Sequence, residues 1–319
     1  MTPRETLLSS LADDPSDALA WAALADELEE SGEAPCAELL RLTRRLLSLP
    51  RRARGRRAAE SRVQRLLLDG VRPCWPEVTN SVGMRLALVP PGRCRIGAPP
   101  SESGRLDHEA FREVEVPRPL WFGVFPVTQR QFWTVLGENP SHFSGPADTF
   151  AWEGDDQDTH DTSDWPAESM TWGAARRFCR KLGARPEEKK AGRRYRLPTE
   201  EEWEYACRAG TTTAFHFGKS LTHALANFGR HVGHPCPVGR HPPNAFGLHD
   251  MHGQVWEKCV LVPVDEGETD EVLAECLRGG SYNDGATGCR SAFRTHEGYV
   301  ETSDDDVGFR VVMEARLRR

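Results

Sequence analysis

The sequence lacks the features of a membrane or secreted protein. No stretch approaches the run of about 18 uninterrupted apolar residues that a membrane span needs. The first ten residues, MTPRETLLSS, lack the apolar segment of a secretory signal peptide. The cysteines number nine and include no CxxC pair, which is typical of reduced thiols. These absences predict a cytoplasmic protein with no membrane partner.

A surplus of basic residues is also missing. The chain has 41 Lys and Arg against 48 Asp and Glu, and the net charge of -7 argues against a general nucleic-acid binder. Tyr is scarce (4), whereas Trp (9), Gly (28) and Pro (23) are plentiful, which is typical of a turn-rich domain. The 319 residues are enough for two domains.

Residues 1–70 predict a small all-α domain. Thr2 is the expected N-cap of a first helix, with Pro3 at its first position and Glu5 as capping-box partner. A second helix is expected to begin at Asp17 and to end at Gly32, and two leucine-rich helices follow. Residues 71–80 predict a linker. Residues 81–319 predict a second domain of short strands, turns and a few short helices.

Ten arginines and a single acid, Glu60, lie between residues 41 and 65. One interpretation is a solvated helix face beside an acidic domain; the other is a docking patch for an acidic protein or a nucleic-acid backbone. No aromatic residue lies among these arginines, which argues against stacking on single-stranded nucleic acid. Clustered positive charge is costly unless acidic groups meet it, either in a protein partner or in the chain's own acidic segments at 148–164 and 265–275. The expected contacts are Arg51, Arg52, Arg56 and Arg57.

Three helices in the second domain carry clear start signals. Thr128, Thr171 and Thr199 are the predicted N-caps, and each precedes an apolar stripe at helical spacing and a glycine that ends the helix. The stretches 146–164 and 260–276 are rich in acids and predict surface loops.

Eight motifs occur in order from residue 83 to residue 312: GMRLALVPPGRCRIGAP, FPVTQRQFWTVLGENPSHFSG, PAESMTWGAARRFC, YRLPTEEEWEYACRAGT, PVGRHPPNAFGLHDMHGQVWE, LRGGSY, CRSAFR and VGFRVV. Together they resemble the formylglycine-generating enzyme, or sulfatase-modifying factor, family. The resemblance implies a compact α+β fold related to C-type lectins, with little regular secondary structure and often with bound calcium. The first 50 residues are similar to a short helical domain of the repeat-companion type found in bacteria, which implies no known chemistry.

Glycines and arginines in these motifs have expected structural uses. Gly279, Gly280 and Gly308 are placed where strands need close backbone approach. Arg290 and Arg310 are typical of buried arginines that fix loops through backbone carbonyl oxygens. A fold with little regular structure needs such contacts.

The resemblance also bears on copper. In the oxidases of the family, two cysteines shortly after a GGSY-type motif bind copper(I), and their thiolates are the soft ligands that this ion needs. The first position corresponds to Asp284 and the second to Cys289. Because a hard carboxylate replaces one thiolate, we expect no copper site and no formylglycine formation. Cys289 is then expected to be a buried small residue beside Arg290.

A calcium site of the family carries over to the segment HDMHGQVWE. The resemblance implies ligands from the side chains of Asp250 and Glu257 and from the carbonyl groups of Gly253 and Val255. Such hard oxygen ligands suit Ca²⁺. The two carboxylates have an alternative use, in capping a turn and pairing with an arginine. After Glu257 the sequence Lys258-Cys259-Val260 departs from the family, so we expect a rebuilt cleft wall.

The first functional hypothesis is a non-catalytic binding or regulatory protein on a lectin-like scaffold. Analogues in the family accompany protease, kinase and phage-defence systems as partners, so we expect a protein partner in a bacterial defence or signalling system. The ligand contacts are predicted in the C-terminal loops: Ser281, Tyr282, Asn283, Asp284, Arg294 and His296.

The second hypothesis is an enzyme of altered chemistry in the same cleft. Its catalytic candidates are Asp284, Cys289 and His296, with Asp284 and His296 as an acid-base pair. The state of the cleft separates the two hypotheses. An open cleft at Ser281, Tyr282 and Asp284 favours an enzyme, and a cleft filled by the insert at 146–164 excludes one.

Overall fold

Four helices precede a region in which short strands and helices alternate. The computed structural model describes residues 1–145, 151–153, 159–261, 275–295 and 303–315. The helices are α1 (Pro3–Asp13), α2 (Ala18–Glu30), α3 (Ala34–Ser48), α4 (Arg56–Leu68), α5 (Gln129–Leu136), α6 (Trp172–Gly183), α7 (Pro186–Lys190) and α8 (Glu200–Arg208), with a 3-10 turn at Asp107–Glu109. The strands are β1 (Glu77–Thr79), β2 (Arg85–Val89), β3 (Gly92–Ile96), β4 (Arg112–Val116), β5 (Leu120–Gly123), β6 (Ala151–Glu153), β7 (Thr159–Asp161), β8 (Arg193–Arg196), β9 (Trp256–Val260), β10 (Glu275–Arg278), β11 (Arg294–Thr295), β12 (Val307–Gly308) and β13 (Val312–Ala315).

The predicted helix starts are confirmed. The Thr2 hydroxyl accepts from the Glu5 amide while the Glu5 carboxylate accepts from the Thr2 amide, which satisfies two orphan donors of α1. Asp17 caps α2, and Gly32 follows its end with a left-handed φ of 81°. Thr128 and Thr199 form capping boxes with residues three positions on, and Thr171 accepts from the Ala174 amide.

Two small sheets form the framework of the second region. The five-stranded sheet has the antiparallel order β1-β2-β5-β13-β8, and its strands β2 and β5 are almost entirely buried. In the four-stranded sheet, β11-β10-β9-β12, the short strand β12 runs parallel to β9. β3 pairs with β4, and β6 pairs with β7, as separate hairpins. The α+β architecture with little regular structure is confirmed.

The predicted linker at 71–80 is wrong. Trp75 is buried, with its ring 4.7 Å from that of Trp21 in α2 and 5.3 Å from that of Phe246. Its indole nitrogen donates to the Leu88 carbonyl oxygen, and residues 77–79 form the edge strand β1. One hydrophobic core therefore continues from the helical region into the sheets. The tryptophan in the middle of the segment was the signal against a linker.

Arg56 fastens the helical region to the rest of the molecule, so its assignment to a partner surface is wrong. Its side chain is buried, and it donates to Glu60 and to the carbonyl oxygens of Leu46, Leu49 and Gly210. The Glu60 carboxylate in turn accepts from the Thr212 hydroxyl. A buried guanidinium needs several acceptors at once, and only the folded chain brings these together.

Other arginines of the basic stretch are also neutralised within the helical region. Arg41 pairs with Asp26 and Glu29, and Arg62 pairs with Glu38. The acidic segments at 148–164 and 265–275 fall largely outside the described residues, so their predicted contact with the arginines stays a prediction.

All nine cysteines are free thiols. Within the described ranges, no helix has the length and apolar character that crossing a membrane requires.

Candidate functional site

A double-glycine turn after β10 places Ser281 in the interior. Gly279 and Gly280 have left-handed φ values of 96° and 72°. A Cβ on Gly280 would lie 2.7 Å from the Cys289 Sγ, and one on Gly279 would lie 3.1 Å from the Trp203 ring. Only glycine accepts both the backbone conformation and the close approach. The close approach predicted at this motif is confirmed, as it is at Gly308, where a Cβ would lie 2.5 Å from a carbonyl oxygen.

Two carboxylates meet one buried hydroxyl at this turn. The Ser281 hydroxyl lies 2.5 Å from Asp284 Oδ2 and 2.8 Å from Asp306 Oδ2, and the Ser281 amide also donates to Asp284. One hydroxyl hydrogen serves only one carboxylate at a time. Burial raises the pKa of Asp306, and the negative charge of Asp284 raises it further. Asp306 is not among the residues that the motifs single out, although it belongs to the run of three aspartates at 304–306.

The thiol chemistry of a copper site does not fit these residues. Asp284 occupies one ligand position with a hard carboxylate that is already bonded to Ser281. Cys289 is fully buried, and burial raises the pKa of its thiol, with a further contribution from Asp284. Copper(I) needs thiolates, and this environment keeps the one available sulfur protonated. The expectation that Cys289 is a buried small residue beside Arg290 is confirmed.

Aromatic side chains fill the space beside Ser281. Phe143, Trp165 and Tyr282 are buried together, with the Phe143 and Tyr282 rings edge to face at 5.7 Å. The His234 ring stacks on Trp165 at 5.0 Å. Phe143 and Trp165 flank the insert predicted at 146–164, whose residues 146–150 and 154–158 lie outside the described part of the chain. Tyr282 therefore packs as part of a small core, while Asn283 is exposed and Asp284 is half-buried.

Glu168 is a second acid that the sequence did not single out. Its carboxylate accepts from the backbone amides of His142 and Phe143, at 3.0 and 2.9 Å. Burial raises the pKa of Glu168 to about 7, against the opposing effect of these donors. The Tyr282 hydroxyl reaches Asp305, so acids and aromatic rings share one side of the molecule. We call the exposed or half-buried residues Asn283, Asp284, Asp304, Asp305 and Asp306 the acidic face.

One of the predicted ligand contacts, Arg294, is engaged away from this face, and another, His296, lies outside the described residues. Arg294 donates to both oxygens of Glu200, at 2.6 and 2.7 Å, and to the carbonyl oxygen of His108. Its predicted role as a ligand contact is wrong, because the side chain is committed to this ion pair. His296 lies outside the described residues, and its pairing with Asp284 stays a prediction.

The predicted calcium ligands fit the ion only in part. Asp250 Oδ2 accepts from the Gly239 amide, but Asp250 Oδ1 is buried without a hydrogen-bond partner. Such an orphaned oxygen suits a cation. Glu257 does not, since its carboxylate accepts from Arg310 and from the Trp203 indole. Glu257 thus has the alternative use, pairing with an arginine, while Gly253 and Val255 lie in the turn between the two acids.

The expected rebuilding of the cleft wall centres on Lys258. Its side chain is fully buried in β9, with the ammonium 4.8 Å from the centre of the Trp172 ring. Burial lowers the pKa of Lys258 to about 8, and the charges of Glu275, Asp304 and Asp306 oppose that shift. A cation therefore lies beneath the acidic face.

The remaining arginines predicted as partner contacts lie at the helical region. Arg52 and Arg57 are exposed, and Arg51 packs its guanidinium 4.1 Å from the centre of the Phe111 ring. None of the contacts described for Arg51, Arg52 and Arg57 involves Ser281 or Asp284.

Comparisons with known proteins agree with this geometry. The model of the family described as the sulfatase-modifying factor enzyme 1-like domain matches residues 77–315. The chain is 26% identical over 292 residues to "Inactive C-alpha-formylglycine-generating enzyme 2" of Bos taurus, covering 74% of this chain and 90% of that protein. It is 35% identical over 159 residues to the formylglycine-generating enzyme of Mycobacterium tuberculosis, covering 39% of this chain and 52% of that enzyme. Among solved structures, PvdO from Pseudomonas aeruginosa superposes with a TM-score of 0.58 at 26% identity, over 75% of this chain and 97% of that one.

Proposed function

The chain belongs to the sulfatase-modifying factor enzyme 1-like family, and we propose that it is a non-catalytic member that binds a protein partner through its acidic face. The observation that carries the proposal is the Ser281 turn, where Asp284 stands at a thiolate position and is bonded to Ser281. The name of the Bos taurus relative, an inactive enzyme, supports the same conclusion.

The chemistry of the acidic face favours a partner with basic side chains. Asp284, Asp304, Asp305 and Asp306 carry four carboxyl groups over a base of buried aromatic rings. The nearby cation Lys258 is buried beneath them, and so a partner meets carboxylates first. Complementary charges at such a rim steer association and set specificity more than they raise affinity.

The first arm of the test concerns catalysis. The chain is incubated with copper and a Cys-x-Pro-x-Arg peptide, and the peptide mass is followed. We expect the cysteine mass to stay unchanged, because one of the two soft ligands is absent. Conversion of the peptide in a way that depends on Cys289 would refute the non-catalytic assignment.

The second arm concerns binding. Full-length chain is passed over immobilised basic and acidic peptides, and we expect retention on the basic set alone. The double variant Asp304→Asn/Asp305→Asn should weaken this retention. The matched control Asp13→Asn/Glu30→Gln removes two exposed acids from the helical region and should leave it unchanged. An equal loss of retention in both variants would mean that the basic peptides respond to the net charge of the protein and not to the acidic face.

An enzyme of altered chemistry is the second candidate, and the Ser281–Asp284–Asp306 arrangement favours it. Two carboxylates on either side of one hydroxyl can share a proton, as paired aspartates do in acid–base catalysis. Ser281 is fully buried, so a substrate reaches its hydroxyl only if the residues that cover it move. Hydrolysis of activated esters that is lost in Asp306→Asn, with the fold intact, would favour this candidate.

The setting of the protein also belongs to the proposal. We infer a cytoplasmic location from the composition. We infer a role in bacterial defence or signalling because analogues in the family accompany protease, kinase and phage-defence systems. Both stay predictions, and fractionation together with the identity of neighbouring genes would test them.

A further inference from the structure

A cavity of about 560 Å³ lies between the helical region and the α+β region. The end of α3 and the segment after it form one wall, and the β3–β4 hairpin with the residues after α8 form the other. Ligand pockets in proteins commonly have volumes of about 300–1,000 Å³. We call this cavity the boundary pocket.

The walls of the boundary pocket are strongly basic. One acid, Glu113, lines it. The arginines that line it are Arg51, Arg52, Arg56, Arg93, Arg95 and Arg208. The pocket also includes the first residue of α4, whose first turn holds no acidic side chain to offset the positive end of the helix dipole.

Two of these arginines are structural. Arg56 is held by Glu60 and by three carbonyl oxygens, and Arg208 is held by Glu204 and by the carbonyl oxygens of Gly97 and Thr213. Their hydrogen-bonding capacity is largely used. They contribute positive charge to the pocket without offering many donors.

Two further arginines are held only weakly. Arg93 pairs with Glu115, and Arg95 pairs with Glu113, at 3.0 and 2.9 Å. Both pairs are exposed, and exposed ion pairs contribute little to stability. A ligand with higher charge can therefore recruit either guanidinium at small cost.

Arg51 and Arg52 are different, because neither has a carboxylate partner among the residues that the structure describes. Arg51 is half-buried over Phe111, while Arg95 approaches the same ring to 5.4 Å. Burial lowers the pKa of Arg51, and the charges of Arg208 and Arg95 lower it further. Within the described ranges, the positive charges of Arg51 and Arg52 therefore have no carboxylate paired with them.

We propose that the boundary pocket binds a phosphorylated organic molecule of up to nucleotide size, with Arg51 and Arg52 contacting the phosphate. A guanidinium group can donate two parallel hydrogen bonds to two oxygens of one phosphate group. The two negative charges of a phosphate dianion are balanced by two such cations. The apolar part of the wall, Leu46, Leu49, Pro50 and the ring of Tyr205, suits the organic body. The assignment is independent of the acidic face.

The test is calorimetric titration of the full chain with ATP, AMP and inorganic phosphate at matched ionic strength, with citrate as a polycarboxylate control. We expect the nucleotides to bind more tightly than inorganic phosphate and citrate. The double variant Arg51→Gln/Arg52→Gln should raise the nucleotide Kd about tenfold or more, since charged hydrogen bonds are lost. The matched control Arg54→Gln/Arg57→Gln, exposed arginines of the same segment outside the pocket, should leave it nearly unchanged.

Several results would overturn the proposal. These are no binding of any phosphate compound, binding of citrate as tight as that of the nucleotides, or an equal loss in both double variants. Binding of a phosphopeptide or an RNA without binding of nucleotides would replace the small molecule with a macromolecule. If Arg51→Gln/Arg52→Gln does not fold, Arg93→Gln/Arg95→Gln on the opposite wall should still weaken nucleotide binding, and failure to do so would overturn the proposal.

Discussion

Arginine has opposite roles in two regions of the molecule. In the centre of the α+β region, Arg310 is fully buried and donates to Glu257 and to the carbonyl oxygens of Gly123, Val124 and His249. In the boundary pocket, Arg51 and Arg52 face other guanidinium groups and have no carboxylate partner among the described residues. The hydrogen bonds of Arg310 join four chain segments. The N–H groups of Arg51 and Arg52 are left to donate to a ligand.

This difference shows that the hydrogen-bond acceptors around a buried or half-buried arginine decide whether it has a structural role or is available to a ligand. A guanidinium has five N–H donors, and a site that supplies acceptors for most of them turns the residue into a structural support. Within the single stretch from residue 41 to residue 65 both outcomes occur, at Arg56 and at Arg51. The following substitutions separate the two roles.

The largest effect is expected from Glu257→Gln. The substitution removes the carboxylate charge opposite Arg310 and leaves a buried cation unpaired, so the free energy of unfolding should fall by about 3–5 kcal/mol. Urea denaturation measures it. Glu38→Gln breaks the exposed pair with Arg62 and should cost less than about 1 kcal/mol. Equal losses in the two variants would remove the distinction between buried and exposed pairs.

A comparison of Arg56→Gln with Arg57→Gln comes next, at adjacent positions of one helix. Loss of the Arg56 guanidinium leaves Glu60 without its cation and several carbonyl oxygens without their donor, and we expect about 3 kcal/mol of destabilisation. Arg57 is exposed, and its substitution should change stability by no more than about 0.5 kcal/mol. Thermal unfolding of both variants gives the answer. If Arg56→Gln is as stable as Arg57→Gln, the buried contacts of Arg56 are not structural, and its predicted role as a partner contact would be supported.

The pH dependence at Glu168 is expected to be of similar size to the effect of Arg56→Gln. Because burial raises the pKa of Glu168 from 4.5 in the unfolded chain to about 7, the native state holds its proton where the unfolded state has lost it. Its contribution to stability is therefore full below pH 4.5 and lost as the pH rises to about 7. We expect a loss of about 3 kcal/mol relative to Glu168→Gln, which stays neutral.

The measurement at Glu168 is the difference in unfolding free energy between the two proteins from pH 4 to pH 8. Asp305 and Tyr282 are the titratable groups that couple to Glu168, and both are present in each protein. A difference that is constant across this range would mean that Glu168 is ionised in the native state.

The smallest effect concerns calcium. Asp250 Oδ1 lacks a partner, but Glu257 is engaged by Arg310, so the predicted site has one free carboxylate in place of two. At a calcium concentration about five times Kd, binding should stabilise the protein by about 1 kcal/mol. EGTA should lower the melting temperature accordingly, and Asp250→Asn should abolish the effect. An unchanged melting temperature in EGTA would leave Asp250 with a structural role alone.

Much of the fold and part of the site could be predicted from the chain alone. The starts of α1, α2, α5, α6 and α8 depend on residues two or three positions apart, and capping is a local interaction. The expectation that Asp284 replaces a copper thiolate also depends on a local motif, and it stays a prediction. The role of Cys289 followed from the same motif.

The remaining features depend on residues distant in sequence. Arg56 meets the carbonyl oxygen of Gly210, which is 154 residues away, and Ser281 meets Asp306, which is 25 residues away. Trp75 was assigned to a linker because the two rings that it packs against, Trp21 and Phe246, are far from it in the sequence.

The amino-acid sequence by itself determined where helices begin and which family motifs are present, because each of these depends on a few consecutive residues. Tertiary structure alone decided which arginines are structural and which line a pocket. A charged side chain takes its role from the acceptors around it, and folding brings those acceptors from distant segments into contact.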